Sequence, residues 1–155
     1  GIAKGPAAIV VDVDGKVKTV ATSGDINELD SRDTIIKGLV EAIKPFTTSN
    51  DAPKSAKAGD KLTFTFKVQL ANWLTFSKKS PMEFTFQAAK EVKCNATTLR
   101  GDQLKIEGKL LTASLTCTAP KGSYQARGEI RFGYDSPNGA TGVGNDGATW
   151  KFVVE

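Results

Sequence analysis

LTFTFKVQL, residues 62–70, decides the fold. Leu62, Phe64, Phe66, Val68 and Leu70 alternate with Thr63, Thr65, Lys67 and Gln69. Side chains on a strand point to opposite faces in turn, so this spacing gathers the large apolar groups on one side and the polar ones on the other. A helix would scatter both sets around its axis. The pattern returns in MEFTF at 82–86. It returns again in 124–134, where Ala126, Ile130 and Phe132 oppose Arg127, Glu129 and Arg131, and in 149–154, where Trp150, Phe152 and Val154 share a face. Leu104 and Ile106 are expected on one face, and a slip of phase between Leu110 and Leu111 predicts a turn or bulge near Gly108. About seven or eight such strands, separated by turn residues, predict a mainly β (α+β) fold built on an antiparallel β-sandwich.

Upstream, the apolar run at 7–13 and the run at 16–21 flank Asp14-Gly15, the turn dipeptide of a β-hairpin. Asp12 and Asp14 open like a calcium loop, but the third acidic position and the downstream Glu are missing. An amphipathic helix is expected over residues 31–44. Asp30 or Ser31 caps it, Ile36, Leu39, Val40 and Ile43 form its stripe, and Pro45 stops it. The polar stretch 47–60 reads as a surface loop and as the one candidate boundary, between a hairpin–helix unit and the sandwich, inside a single domain spanning 1–155.

IVVDVDGKV at residues 9–17, the segment 25–30, the helix and the strand at 59–68 together resemble the hairpin–helix–strand of the TonB carboxy-terminal domain. That family has no counterpart to the rest of this chain, and no function is carried over from it.

Composition excludes much. The 155 residues are 39% hydrophobic and 25% charged, ordinary for a globular chain. No apolar run approaches the roughly 20 residues that span a bilayer, so no membrane span is expected. The chain begins at Gly1, which fits loss of an initiator Met, cleavage of a leader or an appended residue; no signal-peptide pattern is present. There is no histidine. A Ser-His-Asp or Cys-His site therefore cannot form within the chain, and the commonest transition-metal ligand is missing. No metal, cofactor or catalytic residue is expected. The net charge of +4 comes from lysines dispersed along the chain and four arginines. The nearest thing to a basic patch with aromatics is WLTFSKK at 73–79, so no specific nucleic-acid partner is expected.

Cys94 shares its face with Val92 and Ala96, and Cys117 with Ala113 and Leu115. Two inward cysteines on separate strands predict a disulfide across the core, worth about 3 kcal/mol, and an oxidising compartment: extracellular or cell envelope, with particle association as a variant. Two buried thiols are the alternative. Asn95-Ala-Thr97 fits a glycosylation sequon.

The stretch FGYDSPNGATGVGNDGATWKF, residues 132–152, reads as a long flexible hairpin loop with turns at 135–139 and 145–147. Asp135, Asn138, Asn145 and Asp146 are its candidate ligand-binding residues, with calcium as the alternative use. Trp73 breaks the alternation after Leu70 and is a stacking candidate if exposed. The expected function is a non-enzymatic structural or assembly subunit that works through protein–protein contacts, as a homo-oligomer or within a larger assembly. The alternative is a carbohydrate-binding module that uses Trp73 and loop Asp/Asn.

Overall fold

LTFTFKVQL is the strand its alternation predicts: Leu62, Phe64, Phe66, Val68 and Leu70 are all buried. The computed structural model describes residues 7–11, 17–22 and 44–155. The chain divides into two units, Gly1–Lys44 and Pro45–Glu155. In the first, β1 (Ala7–Val11) pairs antiparallel with β2 (Val17–Thr22), from Ala7 opposite Thr22 to Val11 opposite Val17. The turn residues Asp12, Asp14 and Gly15 lie outside the described residues. So does the helix expected over 31–44, except for Lys44, which belongs to no element.

The second unit is almost entirely β. One antiparallel sheet contains β3 (Phe46–Asp51), β5 (Leu62–Leu70), β8 (Lys93–Cys94), β10 (Lys105–Glu107) and β11 (Leu110–Thr118). Its order is β10-β11-β5-β3, with β8 also on β11. The other contains β4 (Ser55–Ala56), β6 (Thr75–Phe76), β7 (Glu83–Ala88), β9 (Thr98–Arg100), β12 (Gly122–Asp135) and β13 (Thr141–Val154). Its order is β4-β13-β12-β7-β9, with β6 also on β12, and only the β4–β13 pair is parallel. Apart from β3, the extra strands beyond those expected are pieces of two or three residues, too short to show alternation.

Rings join the two sheets into a sandwich-like core. Phe64 on β5 lies 4.9 Å from Phe86 on β7, 5.6 Å from Trp150 and 5.3 Å from Phe152 on β13. Phe46 on β3 meets Phe132 on β12 edge to face at 4.9 Å. These are favourable tilted and edge contacts between quadrupoles, added to the burial of large apolar area. Tyr124, at the start of β12, donates its hydroxyl hydrogen to the Pro120 carbonyl at 3.0 Å. This is the arrangement of a tyrosine corner, which pins the chain where it enters a strand.

Four expectations are corrected. The polar stretch 47–60 is not a loop throughout: residues 47–51 belong to β3, an edge strand of its sheet on which Thr47, Ser49, Asn50 and Asp51 are exposed. Leu104 and Ile106 do not share a face. Leu104 closes a short 3-10 turn, Gly101–Gln103, and is buried, whereas Ile106 on β10 is 42% exposed. Cys94 and Cys117 lie at disulfide distance, S–S 2.05 Å, but not across the core. They oppose each other on neighbouring strands β8 and β11 of one sheet, so the bridge ties an edge strand to its own sheet.

The fourth correction concerns the glycine-rich stretch. Only Ser136–Ala140 forms the turn, with Gly139 at φ +84°. From Thr141 onward the chain is strand, paired with β12 without a break from Asp135 opposite Thr141 to Gly122 opposite Val154. Gly142 and Gly144 stand directly opposite Tyr134 and Phe132. A Cβ at either glycine would collide with the facing ring. The aromatic ring therefore covers the bare backbone of the glycine across from it, which lets a glycine-rich segment hold strand geometry.

Candidate functional site

Both candidate surfaces belong to the β12–β13 hairpin. The first is its outer face. Arg127, Glu129 and Arg131 project there from β12, out of phase with the buried Ala126, Ile130 and Phe132. The register sets rows across the sheet. One row runs Arg100 on β9, Glu83 on β7, Arg131 on β12 and Asn145 on β13; the next runs Thr98, Thr85, Glu129 and Gly147. Three of the chain's four arginines thus stand on one face, although they are spread along the sequence. Arg100 is ion-paired with Glu83, and Arg127 with Glu129 at 2.5 Å. Arg131 has no ion pair among the described residues. Gly147 carries no side chain into its row, and a groove of about 480 Å³ lies there, lined by Glu83, Thr85, Arg127, Glu129, Arg131 and Asn145 among others.

The second surface is the free edge of β13. The amides of Val153 and Glu155 donate to Lys54 and Ala56, away from β12. Backbone groups alternate sides along a strand, so those of Val143, Asn145, Gly147, Thr149 and Lys151 also point away from β12. β4 pairs only with Val153 and Val154, so no strand among the described residues pairs with these five. At the middle of this edge the Asp146 carboxylate accepts from the Gly147 amide at 2.7 Å and from the Thr48 hydroxyl on β3. Beside Thr149 and Lys151 lies a cleft of about 260 Å³ bounded by residues 50–54, and Trp150 lines it. The Trp150 indole Nε1 is buried without an acceptor among the described residues.

No protein-family model and no curated protein matches the chain.

The residues singled out from sequence separate into different tasks. Asp135 accepts from the Thr141 hydroxyl at 2.7 Å, and the Asn138 side-chain oxygen accepts from the Ala140 amide at 3.2 Å and bonds with Ser136. Both tighten the turn. Asn145 stands on the outer face beside Arg131, and Asp146 sits at the free edge. The strand separates the two pairs, so the structure does not bring the four together. Among the described residues no group of three or more His, Cys, Asp or Glu is placed to hold a metal ion. Trp73 is 39% exposed and lies in the connection between β5 and β6, two residues before Thr75, which pairs with Asp135. Sequence reasoning missed Arg127, Arg131 and Gly147. Their side-by-side placement depends on the β12–β13 register, which the loop reading of 140–147 concealed.

Proposed function

We propose that the chain is a non-enzymatic structural or assembly subunit that works through protein–protein contacts, joining copies of itself by strand addition along β13. The observation that carries this reading is the unpaired edge at residues 143–151. A strand edge presents donors and acceptors in a row and is a template for another strand. β13 is long and has no proline, and Val143 is 58% exposed. The disulfide-distance pair Cys94–Cys117 supports an extracellular, envelope or particle setting. No helix among the described residues is long and apolar enough to cross a membrane.

Light scattering of the full chain tests the reading, with Thr149→Pro beside it. Proline removes an amide that points to the free edge, and it is tolerated on edge strands. The expected result is an oligomer for the wild type and a folded monomer for the variant. A wild-type monomer at all concentrations sinks the reading.

A second reading, a carbohydrate-binding module, is favoured by the exposure of Trp73 in the connection between β5 and β6.

A further inference from the structure

We infer that the outer-face groove over Gly147 binds an acidic saccharide, a sugar chain carrying uronic-acid carboxylates, with Arg131 as the carboxylate-binding residue. The inference rests on the second reading, glycan recognition, but moves the ligand from Trp73 to the outer face of the sheet.

The groove's chemistry selects the ligand. Arg131 presents a planar fork of donors that matches a carboxylate, and no ion pair among the described residues occupies it. Its neighbours in the register are Asn145, an amide with both a donor and an acceptor, and Glu83, whose carboxylate is already held by Arg100. Thr85 adds a hydroxyl, and Glu129 adds an acceptor engaged on one side by Arg127. Sugar hydroxyls donate and accept at once, so they need both kinds of partner within reach, and this lining offers both. A polyanion with no hydroxyls to donate fits poorly. Glu83, Glu129 and Asp146 also line the groove, so closely spaced negative charges, as on an acidic peptide or a nucleic-acid backbone, are repelled, and a saccharide whose carboxylates are separated by neutral sugars fits best. A protein partner would need an apolar centre, and Ile130 is the one large apolar residue in the lining. Gly147 keeps the floor low: a Cβ there would lie 3.0 Å from the Gly128 carbonyl oxygen and 3.4 Å from the Glu129 Cγ, over the space the sugar would take.

The test is calorimetric and NMR titration of the full chain with galacturonate oligomers and hyaluronan oligomers. Methyl-esterified galacturonate, neutral oligosaccharides and polyglutamate serve as comparisons. The inference expects saturable binding of at least one uronate series. Binding should fall roughly tenfold or more in Arg131→Ala and recover only partly in Arg131→Lys, as expected for loss of a charge-assisted bidentate contact. Gly147→Gln should also weaken it, and Trp73→Ala should leave it unchanged. Both Arg131 variants concern an exposed side chain, so far-UV spectra should match the wild type. Tighter binding of polyglutamate than of any uronate overturns the inference, as does equal binding by Arg131→Ala. If a sugar binds but is lost in Trp73→Ala and kept in Arg131→Ala, the inference falls and the glycan reading stands. If no saccharide binds at millimolar concentration, both fall.

Discussion

At the scale of single residues, two glycines in the last hairpin have opposite reasons to be glycine, and a small series of variants separates them. Gly144 has an ordinary backbone conformation but lies under the Phe132 ring, with Phe46 nearby. Any side chain there must displace a ring from a filled core, so Gly144→Ala should cost about 1–3 kcal/mol in urea denaturation, and Gly144→Asn at least as much. Gly139 has open space around it but a φ of +84°. Gly139→Ala should cost about 1–2 kcal/mol, and Gly139→Asn should recover much of that, because asparagine tolerates positive φ. Equal behaviour of the two asparagine variants would refute the cross-strand ring account of Gly144. Tyr124→Phe removes only the hydroxyl that reaches Pro120. It should cost about 0.5–1.5 kcal/mol, the net value of one hydrogen bond, with no change in the core.

At the scale of elements, β13 explains what was and was not legible in the sequence. Strands with one apolar face, β5, β7, β11 and the second half of β13, could be read because burial imposes alternation on their side chains. The first half of β13 could not, since its inward positions are Gly142, Gly144 and the charged Asp146, and the apolar rings that cover the glycines belong to β12. The signal was nonetheless present: Phe132 and Tyr134 mirror Gly142 and Gly144 across the Pro137–Gly139 turn. It shows only when the two strands are set in register, and that same register gathers Arg127, Arg131, Asn145 and Gly147. β3 stayed hidden for a different reason, because an edge strand with one partner has few inward positions to mark it. Asp146 has an inward phase but leans to the free edge, where it caps the Gly147 amide and accepts from Thr48. The bond to Thr48 ties β13 to β3 of the other sheet. Asp146→Ala should therefore cost about 0.5–1.5 kcal/mol in urea denaturation, and Thr48→Val a similar amount, the net value of one hydrogen bond. Unchanged midpoints in both variants would show that this contact does not hold the two sheets together.

At the scale of the whole molecule, the buried residues of the unit Pro45–Glu155 form one core that runs from Leu62 to Val154. Sequence reading put the candidate boundary in 47–60, where composition turns polar. The chain divides into units between Lys44 and Pro45, and the polar stretch contributes β3 and β4 to the second unit. Polarity marked exposure there, not the end of a core. A fragment spanning 45–155 keeps both sheets and every ring contact between them. It should unfold in one cooperative transition, with a urea midpoint close to that of the same transition in the full chain. Reduction should then lower the stability of fragment and full chain alike by about 3 kcal/mol, the entropy of opening a loop of this size, since Cys94 and Cys117 lie 23 residues apart in the same unit. The bridge holds only the short β8 to its sheet, so the loss should appear as a shifted midpoint with cooperativity retained. A fragment that fails to fold when oxidised would refute the prediction that Pro45–Glu155 is stable by itself.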